Sequence, residues 1–597
     1  NEGDLERYEG MLVRIEGPLT VGQNYFLGRF GQLTVSAGGR LEKPTNRYPA
    51  GSIDAIAMAE DNARRRILLD DGTSLQNPNP TPYLAADNTV RAGDTIDGIT
   101  GVIDYGLATS SNTGLGDFRI HPTAAPTFTR SNPRTTAPAS VNGNIKVASF
   151  NVLNYFTTFT NGQTASGGSG QGCTLGGASA AANCRGADNL AEFTRQQTKI
   201  VNAIKALNAD VVGLMEIQNN GNVALQNLVT ALNTAYGSNV YAAVTNLNGS
   251  TGDDAIRVAM IYKPSAVNPI NQAISDNDPI HNRPPLMQTF AAANGEKFSV
   301  VVNHFKSKGS CPSSSSDANA DQGDGQGCWN VLRTEQAQAL RNTVQNLQAS
   351  SGDYDVIVIG DLNAYGKEDP ILNFTDAGYV DQVARFDSFG YSYVFDGEAG
   401  YLDHALATPS LSAQITGAKH WRINADEPAI IDYNTEFKQP ACATCGPDYY
   451  SNTVYRSSDH DPVVIGINLL KQIGGTAGRD TLIGTPGDDV ITGGIGADTL
   501  TGGAGADQFV FTSLRDGVDT ITDFQPGVDR IVLTQVLQSL GIISAAPIAS
   551  GHVTCSPSGA NAVIGIDADA TGSAVSRPLI LLKNQTCAVA IPGNFVF

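Results

Sequence analysis

Five stretches in the middle of the chain combine a strand-like apolar run with polar residues at its end. They read VASFNVLNYF (147–156), VVGLMEIQNN (211–220), VVVNHFKSKG (300–309), VIVIGDLNAY (356–365) and SSDHDPVVIG (457–466). Apolar runs of this kind are typical of strands buried in a layered α/β core. We therefore expect the polar residues to gather at one edge of a sheet. They are Asn151, Glu216, His304, Asp361, Asn363, Asp459 and His460.

Helical patterns separate these predicted strands. FTRQQTKIVNAIKALNAD (193–210) places the apolar residues Ile200, Val201 and Ile204 on one face and leads directly into the next strand. WNVLRTEQAQALRNTVQNLQAS (329–350) does the same further along the chain. Strands that alternate with helices predict sheets covered by helices, in a domain that we place at 143–470.

The N-terminal part has a different pattern. Residues 1–125 hold short alternating stretches punctuated by Gly, Pro and Asn, which predicts an all-β module, a small OB-like barrel. Arg64, Arg65 and Arg66 either contact phosphates of a substrate or belong to a solvated strand edge in a spacer domain. Residues 126–142 have the composition of a linker.

Four glycine-rich repeats follow the central part. They place Asp480, Asp489, Asp498 and Asp507 nine residues apart, each followed two places later by an apolar residue. A disordered glycine linker does not explain that period. It predicts a parallel β-roll at 471–511, in which each Asp supplies a carboxylate to a Ca²⁺ held between turns. We expect a β-structured tail at 512–597.

Composition limits the functions that remain open. The chain of 597 residues carries 16% charged residues and a net charge of −20, so it repels nucleic acid at long range. Bound metal ions can supply the missing positive charge locally. No apolar run is long enough to span a membrane. The first residue is Asn1, and we expect that it lies inside a longer precursor.

The eight cysteines lie in neighbouring pairs, which predicts disulfides formed in an oxidising compartment. The pairs are Cys173–Cys184, Cys311–Cys328, Cys442–Cys445 and Cys555–Cys587. A redox or zinc site is the alternative for Cys442 and Cys445. The first two pairs lie in long insertions, 157–190 and 309–328. Within the second insertion, DANADQGDG (317–325) either binds an ion or forms a flexible acidic loop.

Carboxylates, an amide and two imidazoles are the groups that metal-assisted cleavage of a phosphate ester requires. The motif set, in this order, resembles the deoxyribonuclease-I-like endonuclease/exonuclease/phosphatase superfamily, and within it the secreted bacterial nucleases with C-terminal calcium-binding repeats. The repeats resemble the repeats-in-toxin family, whose members leave the cell by type I secretion. The resemblance implies a multidomain α+β protein whose central part is a four-layer sandwich of two mixed sheets, with the site at one rim.

The resemblance also implies residue roles. Glu216 would be the principal ligand of a catalytic Mg²⁺ or Mn²⁺, with Asn151 and Asp459. Asp361 and Asn363 would position the attacking water and the scissile phosphate. His304 and His460 would flank that phosphate, with His460 as base and His304 assisting, or in exchanged roles. The remaining candidates are Asp403, which would complete the site, and Arg257 and Lys306, which would contact phosphate.

From these features we expect a secreted, monomeric, metal-dependent nuclease that cleaves DNA, and RNA as a further candidate, with little sequence specificity. Two alternatives remain at this stage. One is a phosphomonoesterase or lipid phosphodiesterase on the same scaffold. The other is a calcium-dependent adhesive or structural protein.

Overall fold

The computed structural model describes residues 5–107, 116–436, 447–570 and 575–597. The chain divides into two compact units. The first comprises Asn1–Phe290 and Lys297–Asn468, and the second, the C-terminal unit, comprises Ala291–Glu296 and Leu469–Phe597. Within the described ranges, no helix is long and apolar enough to cross a membrane.

The N-terminal part of the first unit is a closed five-stranded barrel. Its strands, in spatial order, are Leu12–Gln23, Leu33–Ala37, Arg66–Leu69, Asp117–Pro122 and Thr95–Gly106. Antiparallel pairing of the first strand with the last one in this order closes the barrel, which confirms the predicted fold of this part. A short strand, Phe128–Thr129, joins its edge.

Helices interrupt the barrel where only strands were expected. They are Leu27–Phe30, Pro44–Arg47 and Ile53–Arg65. The third is capped by Ser52, whose side chain accepts a hydrogen bond from the backbone N–H of Ala55. The expectation of an all-β module was therefore wrong for residues 53–65, because the capping serine and the alanine-rich segment after it favour a helix.

The three consecutive arginines at the C-terminal end of this helix are paired with carboxylates. Arg65 lies 3.0 Å from Asp61, and Arg66 lies 2.9 Å from Asp396. Arg64 faces Asp61 at 3.7 Å. These contacts give the three side chains partners within the chain, and phosphate contact by them stays a prediction.

The central part of the first unit is a sandwich of two mixed sheets covered by helices. The first sheet runs in the order Ala242–Ala243, Ile256–Tyr262, Val211–Gln218, Ile145–Tyr155, Val463–Ile467 and Ile415–His420. The second runs in the order Leu247–Asn248, Val267–Ser275, Leu286–Ala292, Lys297–His304, Val356–Asp361, Asp403–Ala407 and Val380–Asp381.

Each sheet has its own helical cover, which completes the four predicted layers. Helices Leu190–Leu207 and Val223–Tyr236 pack on the first sheet, and Asn330–Ser351 and Asp369–Thr375 pack on the second. Gly213 lies where the sheets meet. A Cβ atom there would come within 2.7 Å of Val302 and 2.8 Å of Ile359, so a larger residue would force these side chains to shift.

The remaining elements of this part are short. The helical ones are Ala181–Asn183, Gln382–Phe386, Pro409–Ser412 and Ala429–Ile431. The strands are Cys173–Leu175, Ala178–Ala180, Tyr393–Phe395, Glu398–Gly400 and Leu41–Glu42. Leu41–Glu42 belongs to the N-terminal part and pairs with Glu398 and Ala399, so one small sheet joins the barrel to the sandwich.

Buried ion pairs also join the barrel to the sandwich. Arg40 contacts Asp426 at 2.7 Å, and Arg91 contacts Glu427 at 2.8 Å. Arg134 reaches the same Glu427 at 2.7 Å. Removing one partner of such a pair by mutation would leave a buried charge uncompensated, which is strongly destabilising.

Three of the four expected cysteine pairs are disulfides in the structure, namely Cys173–Cys184, Cys311–Cys328 and Cys555–Cys587. Cys442 and Cys445 lie outside the described residues. In the acidic stretch of the second insertion, Asp317 accepts the N–H of Asn319, Asp321 that of Gly323 and Asp324 that of Gln326. These contacts favour a folded turn structure over an ion-binding loop.

The C-terminal unit contains two sheets of stacked, mostly parallel strands. One contains Lys471–Gly474, Asp489–Thr492, Gln508–Val510, Arg530–Val532 and Phe595–Val596. The other contains Thr481–Ile483, Thr499–Thr501, Asp519–Ile521, Arg577–Leu582, Asn561–Ile566 and Val553–Ser558. The helical segments are Thr534–Ser539, Cys587–Val589 and Pro592–Asn594. The stack thus continues well past residue 511.

The repeat aspartates form a ladder between successive turns. The N–H of Asp480 donates to Asp498 Oδ1 at 2.8 Å, and the N–H of Asp489 donates to Asp507 Oδ1 at 3.0 Å. The other oxygens of Asp498 and Asp507 are buried without a hydrogen-bond partner. Burial and the charges of neighbouring aspartates raise the pKa of Asp507 to about 7. Buried, unpartnered carboxylate oxygens are suitable ligands for Ca²⁺.

We predict that Ca²⁺ stabilises the C-terminal unit of the full-length protein. Ca²⁺ at about 10⁻³ M, the range in which extracellular sites bind, should raise its unfolding temperature and its protease resistance, because the ion neutralises the ladder. Asp498→Ala should reduce both effects in calorimetry and limited proteolysis. Asp97→Ala, at an exposed position of the barrel, should not. Equal stability in EGTA and in Ca²⁺ would contradict the prediction.

Candidate active site

Strand register brings three of the predicted residues side by side. His304 and Asp361 are partners at the ends of two parallel strands, and Asp361 is the partner of Asp403 on the next strand. All three side chains are almost completely buried. The sheet therefore positions one imidazole and two carboxylates at a single edge.

The loop before the strand Val463–Ile467 adds His460 to this edge. Its Nδ1 donates to Asp403 Oδ2 at 2.7 Å, so Asp403 is the carboxylate that orients this imidazole. The hydroxyl of Ser392 donates to the same oxygen at 2.7 Å. The ring of Tyr393 stacks on His460, with 4.7 Å between centroids. Ser392 and Tyr393 thus fix His460 from two sides, and no motif in the sequence pointed to either.

Both imidazoles face Asp361 with their Nε2 atoms. His304 Nε2 lies 3.5 Å from Asp361 Oδ2, and His460 Nε2 lies 3.8 Å from the same oxygen. These separations are longer than direct hydrogen bonds. Two ring nitrogens therefore converge on one carboxylate oxygen, and we call the place where the three groups meet the gap.

The charges around the gap give the two histidines opposite properties. Burial, together with the charges of Arg283 and His460, lowers the pKa of His304 well below its ordinary value. Burial acts against protonation of His460 too, but the carboxylates of Asp403 and Asp361 raise its pKa well above the ordinary value. These directions favour a neutral His304 and a protonated His460 in the metal-free protein. His304 would then be the base and His460 the assisting group, which is the second of the two assignments considered from the sequence.

Glu216 and Asn151 lie beside this gap. Asn151 Nδ2 donates to Glu216 Oε1 at 3.2 Å and to Asp361 Oδ2 at 3.3 Å, and the N–H of Asn154 donates to Glu216 Oε2 at 2.9 Å. Glu216 has a φ of 64°, a costly conformation for a residue with a side chain. That strain turns the carboxylate at the end of its strand toward the site.

These residues fit a divalent cation. Burial and the charge of Asp459 raise the pKa of Glu216, an effect that a bound cation would relieve. In the described ranges no three His, Cys, Asp or Glu side chains form a metal-binding group. The expected set has two carboxylates and an amide, Glu216, Asp459 and Asn151. Oxygen ligands of this kind, with water completing the shell, suit Mg²⁺ or Mn²⁺.

Asn363 completes the edge. Its N–H donates to Asp361 Oδ1 at 2.9 Å, and its side-chain amide donates to the carbonyl oxygen of Phe305 at 3.2 Å. A positive φ of 49° holds it directly after the strand that ends in Asp361. Asn363 therefore holds Asp361 in place and lies on the wall of the cleft described below.

The two predicted phosphate contacts differ in position. Lys306 follows His304 by two residues and lies 4.8 Å above the ring of Trp329. No described contact brings Arg257 to the histidines. Its Nη2 donates to Asn222, and the residue lines a separate small cavity. Arg283 lies closer, because its Nε donates to the carbonyl oxygen of His304 at 3.1 Å. Sequence reasoning missed Arg283, which lies in a loop with no motif.

Comparison with known families agrees with this geometry. The model of the endonuclease/exonuclease/phosphatase family matches residues 148–460, more than half of the chain. The chain belongs to this family. Its members are hydrolases that act on phosphoester bonds and use divalent metals. Four copies of the RTX calcium-binding nonapeptide repeat match residues 474–509, and a domain of unknown function matches residues 5–132.

Several solved structures are similar over the central part. A family protein from Bacteroides thetaiotaomicron is 12% identical, with a TM-score of 0.33, over 54% of this chain and 96% of its own. The human Nocturnin catalytic domain with bound sulfate is 15% identical, with a TM-score of 0.30, over 54% and 92%. D. rerio TDP2 complexed with a single-strand DNA product is 14% identical, with a TM-score of 0.29, over 54% and 97%. No curated protein matches the chain.

We predict that Asp403→Asn lowers phosphoester hydrolysis by roughly 10²- to 10⁴-fold, the usual range for a lost acid–base group. The carboxylate of Asp403 orients His460 and raises the pKa of this histidine, and the variant loses both effects. Turnover should be compared with thermal unfolding. Asp97→Asn, at an exposed position of the barrel, is the matched control. Wild-type turnover in folded Asp403→Asn would show that the pair with His460 has no part in the reaction.

Proposed function

We propose that the protein is an extracellular, metal-dependent nuclease that hydrolyses phosphodiester bonds of DNA, and of RNA, with little sequence specificity. The observation that carries the proposal is the gap bordered by His304, Asp361 and His460. It places one imidazole suited to accept a proton and one suited to donate a proton against the same carboxylate oxygen, at 3.5 and 3.8 Å.

The residues around the gap have different roles in in-line hydrolysis. His304, held neutral by burial and Arg283, accepts a proton from the attacking water, which Asp361 orients. His460, held by Asp403, donates a hydrogen bond to the phosphate through Nε2. Acid–base assistance of this kind accelerates reactions by about 10²- to 10⁴-fold.

Asn151, Glu216 and Asp459 would hold the catalytic cation, Mg²⁺ or Mn²⁺. When bound, it neutralises negative charge that develops on the phosphoryl and leaving oxygens. The bound cation would give the acidic chain a local site of positive charge, which the substrate needs for binding.

The cleft next to the gap supports a nucleic acid over a small phosphomonoester. A cavity of about 620 Å³ opens beside His460 and Asn363 and is lined by Lys43, Lys308 and Phe395 among others. Its size lies within the range of pockets that enclose whole ligands of several hundred daltons. Lysine and aromatic side chains suit the phosphates and bases of nucleotides.

The location outside the cell is supported by two features. RTX repeats are typical of secreted proteins, and the three disulfides require an oxidising compartment. Type I secretion is the export route that such repeats favour. We propose that the protein acts as a monomer.

The catalytic metal can be tested separately from Ca²⁺. EDTA should abolish hydrolysis and Mg²⁺ or Mn²⁺ should restore it, whereas EGTA in the presence of Mg²⁺ should leave most of the activity. Glu216→Gln keeps the shape of the side chain and should require higher Mg²⁺ for the same rate. Full activity in chelated protein would refute a metal-dependent mechanism.

The substrate class is tested with the same preparation. Plasmid DNA, RNA, p-nitrophenyl phosphate and sphingomyelin should be incubated with wild type and with His304→Ala. We expect cleavage of the nucleic acids, lost in the variant. Preferential hydrolysis of p-nitrophenyl phosphate or sphingomyelin would replace the proposed function with a phosphomonoesterase or a lipid phosphodiesterase. No hydrolysis of any substrate would favour a binding protein.

A further inference from the structure

We propose that the N-terminal barrel forms part of the substrate cleft, and that Tyr25 is a stacking platform for an unpaired nucleobase next to the scissile phosphate. This inference rests on the proposed nuclease function and names the form of nucleic acid that the cleft binds most tightly, a single-stranded segment. The family model begins at residue 148, so it does not include the barrel.

Two cavities border the barrel loop that carries Tyr25. The first has a volume of about 130 Å³, and its lining includes Tyr25, Tyr393 and Asp459. The second has a volume of about 240 Å³, and its lining includes Tyr25, Phe26 and Asp459. Asp459 is a candidate ligand of the catalytic metal, and Tyr393 stacks on the catalytic His460. The loop of the barrel therefore reaches the reaction centre.

The aromatic side chains of this loop are exposed. Tyr25 is 56% exposed and Phe26 is 41% exposed, and their rings lie 5.1 Å apart in an edge-to-face arrangement. Exposing a pair of large rings to water is unfavourable, and a ligand that covers the rings removes this cost. Every nucleobase has a flat aromatic face, so stacking on such a ring does not depend on sequence.

The residue before Tyr25 holds this loop rigidly in the cleft. Asn24 is buried, and its side-chain amide donates to the carbonyl oxygens of Val90 and Asp426, each at 2.8 Å. Val90 belongs to the barrel and Asp426 to the sandwich. Tyr25 is thus positioned by both parts at once, and little side-chain or loop entropy remains to be lost when a base binds.

The barrel also contributes a residue to the 620 Å³ cavity. Lys43 lies on the wall of the 620 Å³ cavity, together with Lys308 and His460. Its Nζ is held 3.0 Å from Glu398, next to the short strand that joins barrel and sandwich.

Asp459 and His460 are neighbours in sequence and line different cavities, and Tyr393 lines both the 130 Å³ and the 620 Å³ cavity, so these cavities meet near one point. A chain with a base toward Tyr25 and phosphates toward Lys43 and Lys308 would cross that point. A duplex keeps its bases stacked inside, so the platform fits a single strand.

The test uses full-length protein and the variants Tyr25→Ala, Tyr25→Phe and Tyr354→Ala. Tyr354 is 70% exposed and lines none of these cavities, so its variant is the control for loss of a surface tyrosine. The substrates are a single-stranded DNA of about ten nucleotides and methyl p-nitrophenyl phosphate, a diester without a nucleobase. Binding of the labelled DNA in EDTA is measured by fluorescence anisotropy, independently of turnover.

We expect Tyr25→Ala to weaken DNA binding and raise KM for the DNA by roughly 5- to 100-fold, the effect of losing one stacked base. Hydrolysis of methyl p-nitrophenyl phosphate should be unchanged. Tyr25→Phe should behave like wild type, because stacking needs the ring and not the hydroxyl. Tyr354→Ala should have no effect.

Unchanged DNA binding and KM in Tyr25→Ala would overturn the inference. An equal loss with the small diester would also overturn it, because Tyr25 would then support the reaction centre instead of the substrate. If wild type hydrolysed neither diester, the proposed function would fail. Binding of the DNA that depends on Tyr25 would still support the platform in that case, and binding that does not depend on it would overturn both.

Discussion

The reaction centre depends on the register of three neighbouring strands, which places His304, Asp361 and Asp403 side by side in a buried position. Burial and the charge of neighbouring Asp403 raise the pKa of Asp361 to about 7, although His460 acts against this shift. Two carboxylates so close together do not both ionise easily. Asp403 escapes this effect because His460 donates a hydrogen bond to it. The same constraint makes a cation favourable at Glu216 and Asp459. A slip of one residue in register would turn these side chains to the opposite face of the sheet.

The barrel and the sandwich are linked by interactions that are costly to break. Asp426 and Glu427 are completely buried, and arginines from the N-terminal part neutralise them. A buried ion pair is weak support for stability as such, but removal of one partner is strongly destabilising. This arrangement explains why a loop of the barrel can hold Tyr25 at a constant position beside Asp459. The fold and the proposed substrate recognition thus depend on the same network.

Much of the architecture could be predicted from the sequence, because its signals are local. In segments such as VVVNHF and VIVIGDLN the candidate site residues directly follow the apolar run of a strand, and the nine-residue period identifies the repeats. The missed residues have no such signal. Ser392 and Arg283 reach the site through tertiary contacts only. The ladder continues through Asp519 and Asp529, but its partners are 21 and 22 residues apart there instead of 18, so the period is lost. The helix at 53–65 has a weaker signal, because its last arginines run directly into the strand Arg66–Leu69, whose apolar residues favour a strand.

The most direct test is the location of the metal and the phosphate in one crystal. Crystals of His304→Ala with Mn²⁺ and a short single-stranded DNA should show an anomalous peak about 2.0–2.3 Å from oxygens of Glu216 and Asp459, as expected for a hard divalent cation. The nearest phosphate should lie between that peak and His460 Nε2. A peak confined to the repeat aspartates, or a phosphate bound away from His460, would contradict the account.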